Sequence, residues 1–143
     1  MPDPVVLLEV DKRGVATITL NRPEVNNAYN GEFVKAMIAA VVSCSNDDTV
    51  RVIVIRGNGK HFQAGADLKW LKEIGKLSPQ ENIDVSRLTA SAIRGLTEVM
   101  KPTIALVHGG CFGGGTGIAA SCDIVVASDD ALFSITETRW GVI

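Results

Sequence analysis

Three short runs constrain what this chain can fold into: VRVIVIRG (Val50–Gly57), TIALVHG (Thr103–Gly109) and CDIVVAS (Cys122–Ser128). Each reads as a strand buried on both faces, because β-branched and apolar residues continue without a polar alternation. Two helices are expected between the first two runs. One opens at Asp67, and the other follows Ser78-Pro79-Gln80-Glu81, a capping box with proline at the first helical position. The second helix carries Val85, Leu88, Ala92, Leu96 and Val99 along one face and stops before Pro102. Buried strands alternating with helices imply an α/β layer with parallel pairing. Upstream, Val5–Val10 and Val15–Leu20 flank Asp11-Lys12-Arg13-Gly14, a hairpin with glycine at the strained position. The Asn-rich loop NRPEVNNAYN then leads to Asn30, the expected cap of a helix with Phe33, Met37, Val41 and Cys44 on one face.

With 143 residues, 46% of them hydrophobic and 21% charged, the chain can bury a real core. A formal net charge of -2 argues against nucleic acid as the main partner, since phosphate binding needs clustered Lys and Arg. Cys44, Cys111 and Cys122 are too few and too scattered for a disulfide scaffold or a zinc site, and each reads as a small buried hydrophobe. The N-terminus lacks the basic region of a signal peptide, and no run approaches the ~20 apolar residues of a membrane span. A reduced, cytoplasmic setting without a membrane partner is the expectation. At Gly141-Val142-Ile143 another apolar element begins, so a domain covering residues 1–143 is expected to be incomplete at its C-terminus.

The stretch CFGGGTGIAASCD (Cys111–Asp123) spends four glycines beside an apolar helix, each costing about 0.5–1 kcal/mol relative to alanine in a regular element. Three readings compete. Gly113, Gly114 and Gly115 could form a close-packed turn. Gly115-Thr116-Gly117-Ile118-Ala119-Ala120 loosely fits a dinucleotide fingerprint, although several residues separate it from the strand and no acidic residue closes the following strand. Alternatively, the loop is half of an oxyanion hole, in which glycines let a carbonyl oxygen approach a free backbone N–H. Such a hole needs a second donor, and Ala64-Gly65-Ala66, placed between a buried strand and the helix N-cap Asp67, supplies a candidate.

With both loops in view, the sequence resembles the crotonase superfamily of enoyl-CoA hydratases and isomerases. The resemblance rests on NRPEVNNAYN, HFQAGADLKWL, GGCFGGGTGIAASCDIVVAS and FSITETRWGVI, in the family's order and spacing. It implies a spiral of ββα units, an acyl-CoA thioester as substrate with no metal or other cofactor, and assembly as a homotrimer or hexamer. By position it implies oxyanion donors at the N–H groups of Ala66 and Gly114. It also implies CoA contacts from Val25, Asn26, Ala28 and the stretch Ala64, Gly65, Ala66, Asp67 and Leu68, with Gly113 among the substrate-binding residues. Of the family's two hydratase glutamates one matches Glu137; the other falls on Gly117, which has no side chain. From the residues alone Glu137 reads as a surface partner of Arg139, and the resemblance reverses this. His108, where the family commonly has Asn, is read as structural.

What the resemblance implies is general acid–base chemistry beside a thioester, with Glu137 carrying the proton. Water addition to an α,β-unsaturated acyl-CoA, on substrates like methylglutaconyl-CoA, is the leading expectation. Double-bond isomerisation by a single-glutamate shuttle follows closely. A non-catalytic acyl-CoA-binding member and, more remotely, an NAD-dependent oxidoreductase are the rivals.

Overall fold

A computed structural model describes residues 3–141, apart from the side chain of Trp140; Val142 and Ile143, and with them the apolar element expected there, lie outside the described residues. Strands β1 (Val6–Val10) and β2 (Val15–Leu20) form the expected antiparallel hairpin, with Val10 opposite Ala16. Gly14 turns it at φ +81°, where a side chain would also collide with the Thr49 carbonyl. β3 (Val52–Gly57), β4 (Thr103–Val107) and β6 (Ile124–Ala127) then add in parallel, giving the order β1-β2-β3-β4-β6. β5 (Gly110–Phe112) and β7 (Leu132–Ser134) make a second, two-stranded parallel sheet.

Helix α1 (Gly31–Asn46) starts as its sequence predicts: the Asn30 side chain accepts the Phe33 amide at 2.9 Å. Phe33, Met37, Val41 and Cys44 are all buried, a helical stripe that joins Ile18, Leu20, Ile53, Ile55, Ala105 and Val107 of the large sheet in one core. Each such side chain contributes about 1.5–3 kcal/mol by leaving water. Lys101 closes the far end of α1, donating from Nζ to the Cys44 carbonyl at 2.7 Å and also to that of Asp47. Helices α2 (Leu68–Ile74) and α3 (Pro79–Glu98) follow β3. The α3 capping box is formed in both directions: the Ser78 hydroxyl accepts from the Glu81 amide, and the Glu81 carboxylate accepts from the Ser78 amide at 2.8 Å. Two short helices complete the described chain, α4 (Gly114–Ala120) and α5 (Glu137–Trp140).

Burial of the strands on both faces does not hold. Ile53, Ile55 and Ala105 are fully buried, but their neighbours Val52, Val54 and Ile104 are only half-buried and Leu106 is exposed. Along β6, Ile124, Val125 and Val126 are 42–53% exposed. Helix α1 packs on the face that carries Ile18, Ile55 and Ala105, whereas β6 is open on both faces: Val125, beside Ala105, is exposed as Ile124 and Val126 are on the opposite face. A β-branched run records strand propensity and cannot report how many faces a fold covers. The α3 stripe is likewise only partly covered: Ala92 and Leu96 are buried, whereas Leu88 is exposed.

Candidate functional site

Two loops meet where the small sheet adjoins the segment after β3. Gln63 joins them. Its amide donates to the Gly110 carbonyl at 3.1 Å and its carbonyl accepts from Phe112 at 2.8 Å. Its side chain, fully buried, accepts the Gly65 amide at 2.8 Å and donates to the Gly65 carbonyl at 3.0 Å. A Cβ on Gly115 would come within 2.7 Å of the Gln63 carbonyl, so that glycine is a packing glycine, buried inside α4. Gly117 also lies within the helix. The dinucleotide fingerprint needs its glycines in the turn before the helix, and these two do not form one.

On the other edge of the same segment runs Tyr29. Its amide donates to the Gly65 carbonyl and its carbonyl accepts from Asp67, both at 2.9 Å, a parallel bridge centred on Ala66. This geometry turns the Ala66 N–H away from Tyr29, on the side where β5 runs, and that N–H has no backbone or side-chain acceptor among the described residues. Ala66 is therefore placed one residue before the α2 cap Asp67, as its position in the sequence implies. The glycine loop also differs from expectation, because it follows β5 of the small sheet and not a strand of the large one. Gly113 spends its amide on the Ser134 carbonyl at 2.9 Å. The next amide, Gly114, opens α4 and has no acceptor among the described residues.

Glu137 reaches this corner from α5. A Cβ at Gly113, which sits at φ +51°, would fall on Glu137 Oε1 and lie 3.0 Å from Oε2. Oε2 is buried without a hydrogen-bond partner, the sole side-chain atom of that kind among the described residues. The described ion pairs are Arg13–Asp11 and Arg22–Asp67, so Glu137 does not pair with Arg139. At Gly114 the contact is the Tyr29 ring, 2.6 Å from where a Cβ would stand. Successive glycines thus admit a carboxylate and a phenol ring against the same stretch of backbone.

The expected CoA-contacting residues lie on two segments, residues 25–28 before α1 and residues 64–68 before and at the start of α2, which an Ala64–Asn26 backbone hydrogen bond joins. Val25 ends a 3₁₀ turn, Asn26 follows in the left-handed region, and Ala28 is buried. Ala64 donates its amide to the Asn26 carbonyl at 3.0 Å, and Leu68 is 60% exposed at the mouth of α2. Asp67 is more constrained: it caps α2 through Lys69 (2.9 Å) and pairs with Arg22 (3.1 Å), whose other nitrogen donates to the Ala28 carbonyl. Burial alone would raise the Asp67 carboxyl; the Arg22 guanidinium and the α2 amides outweigh it and hold the group below its ordinary value. His108 bonds the Gly59 carbonyl at 2.8 Å.

Sequence reasoning missed Tyr29, Gln63 and Asn27. Asn27 is fully buried at φ +58°, accepts the Arg22 amide, and donates to the carbonyls of Asn58 (2.8 Å) and His61 (3.0 Å), tying the loop before α1 to the segment after β3. The doubled asparagine was the available signal, since Asn tolerates the left-handed region. Beside Gly114 a cavity of about 50 Å³ opens among Tyr29, Phe33, Met37, Ile93, Leu96 and Ile118. Burial pushes the thiols of Cys111 and Cys122 up to about 11. The described residues contain no cluster of metal-binding side chains and no helix long and apolar enough to cross a membrane.

A family profile described as enoyl-CoA hydratase/isomerase matches residues 11–143. The short-chain-enoyl-CoA hydratase of Clostridium acetobutylicum is 38% identical over 96% of this chain and 51% of its own length. The mitochondrial Δ(3,5)-Δ(2,4)-dienoyl-CoA isomerase of Dictyostelium discoideum is 33% identical over 93% of the chain and 48% of its own. The crystal structure of an enoyl-CoA hydratase from Shewanella pealeana superposes with a TM-score of 0.93 at 30% identity, covering 97% of this chain and 52% of that one. The chain spans about half the length of the curated relatives it matches. Profile, sequence relatives and superposed backbone agree: the chain has the crotonase fold and belongs to the enoyl-CoA hydratase/isomerase family.

Proposed function

We propose that the protein carrying this chain adds water to an α,β-unsaturated acyl-CoA. The carrying observation is Glu137: a carboxylate with a buried, unpartnered oxygen held against Gly113, one residue from an unspent amide at Gly114. In this reading the thioester oxygen takes the N–H groups of Ala66 and Gly114, each worth roughly 10²–10³ in rate. The apolar cavity beside Gly114 receives the acyl chain, and Val25, Asn26, Ala28, Ala64, Gly65 and Leu68 flank the CoA moiety. Asp67 acts through Arg22 by fixing the loop.

The chemistry needs one carboxylate. Glu137 takes a proton from water as the water oxygen bonds Cβ, and the Cα–Cβ π electrons move onto the thioester oxygen as an enolate. Glu137 then returns that proton to Cα, so water's atoms are added in full. No metal or further cofactor enters the step.

Double-bond isomerisation is the second reading. It is favoured by Gly117, whose position faces only Ile93, at 3.8 Å, with no second carboxylate there. The test uses the full-length protein with enoyl-CoA esters of differing double-bond position in D₂O. Water addition is expected; deuterium entry with a moved double bond supports isomerisation. Glu137→Gln is expected to lower turnover at least ~100-fold. A variant within a few-fold of wild type removes Glu137 from the mechanism.

A further inference from the structure

The proposed hydration rests on one carboxylate, and a water molecule facing a single carboxylate is poorly aimed. A polar group on the other side of the Gly113–Gly114 corner would aim it. Tyr29 stands beside Gly114. Its ring lies against Gly114 as the Glu137 carboxylate lies against Gly113, and these are adjacent residues whose α-carbons are about 3.8 Å apart. The ring is fixed on its far side by Trp70, edge-on at 5.7 Å and 68°. Its backbone brackets Ala66, one of the two proposed oxyanion amides. Tyr29 therefore meets both loops of the site, the glycine loop through its ring and the Ala66 segment through its backbone.

We propose that Tyr29 is the water-positioning residue of this site, its phenolic oxygen accepting one hydrogen of the water whose other hydrogen Glu137 removes. This inference rests on the hydratase reading. With one hydrogen held by Tyr29 and the other by Glu137, a lone pair of the water is left directed at Cβ. The phenol keeps its own proton throughout and appears unchanged on both sides of the balance. The role requires a neutral phenol, and the surroundings favour one: burial first, and then the Glu137 charge, push Tyr29 above its ordinary value.

Tyr29 is the single tyrosine of the chain, which makes the experiment clean. In the full-length protein, Tyr29→Phe keeps the ring against Gly114 and Trp70 and removes only the hydroxyl. Hydration of crotonyl-CoA is expected to fall at least ~10-fold in kcat with KM within about two-fold, while Glu137-dependent exchange of the Cα hydrogens of the saturated butyryl-CoA with D₂O, which needs the enolate and no added water, stays within two-fold. Equal loss of both reactions overturns the proposal, because Tyr29 would then be acting through Glu137 or through the fold. An unchanged hydration rate in the variant overturns it too, leaving the hydratase reading intact. A wild-type protein that exchanges the Cα hydrogen but adds no water overturns the hydratase reading and this proposal together. As a readout free of turnover, 3-fluorotyrosine incorporation (with any tyrosine of the full-length protein outside this chain changed to Phe) gives one ¹⁹F resonance whose titration midpoint moves down on Glu137→Gln. An unmoved midpoint places the phenol out of reach of Glu137 and overturns the proposal.

Discussion

Gly113 and Gly117 lie four residues apart in one glycine-rich stretch and answer different needs. At Gly113 the backbone sits at φ +51° and the Glu137 carboxylate fills the place of a Cβ. Gly113→Ala is expected to cost about 1–3 kcal/mol, from left-handed strain and the displaced carboxylate together, and to depress turnover with it. Gly117 has neither constraint, with Ile93 at 3.8 Å and no positive φ. Gly117→Ala is expected to stabilise by about 0.5–1 kcal/mol, as alanine does in a helix interior. Thermal or urea unfolding of the two variants reads the difference directly. Asp67 gives a pH-dependent counterpart. Its folded pKa lies below the unfolded one, so its contribution is fully present above the ordinary carboxylate range and is lost as pH falls through the folded value. Asp67→Asn is expected to cost roughly 1–3 kcal/mol at neutral pH and to flatten the decline of stability below about pH 4. Equal acid limbs in wild type and variant would contradict this.

At the level of elements, local signals held where local chemistry decides. Asn30, Ser78 and Asp67 cap α1, α3 and α2 as their positions in the sequence imply, because a cap is a contact over two or three residues. The hairpin at Gly14 held for the same reason. What stayed illegible was the small sheet. Gly110–Phe112 and Leu132–Ser134 are three residues each, too short for periodicity, and they pair across about twenty residues. That sheet, with Gln63 bridging to Cys111 of β5, is what brings the two loops together, so the loops were legible in the sequence without their relative placement. Helix α3 carries a testable asymmetry. Its buried residues, Ala92 and Leu96, both lie in the C-terminal half. Amides there are expected to exchange hydrogen more slowly than those between Ile83 and Ala90, by an order of magnitude or more. Uniform protection along α3 would contradict it.

For the molecule as a whole, the exposure of Leu106 on β4, Ile124, Val125 and Val126 on β6, and Leu132, Phe133 and Ile135 beyond it is the largest departure from what the sequence implied. Seven large apolar side chains open to solvent between residues 106 and 135 offer sites for a hydrophobic probe. The 143-residue chain taken alone is therefore expected to bind a hydrophobic dye such as ANS strongly, and Val126→Lys to reduce that binding; weak dye binding by wild type would contradict the exposure described. Family membership needs none of this, resting as it does on residues 11–143 and a backbone superposition at a TM-score of 0.93. The catalytic account depends on something narrower, the convergence of two unspent amides from separate loops on one thioester oxygen. The direct measurement is the infrared carbonyl stretch of acyl-CoA labelled with ¹³C at the thioester carbon, bound to the full-length protein. A band at lower frequency than in water is predicted, because two fixed donors polarise the C=O more than solvent does. A bound thioester whose stretch matches or exceeds its value in water would show that Ala66 and Gly114 do not hold the oxygen.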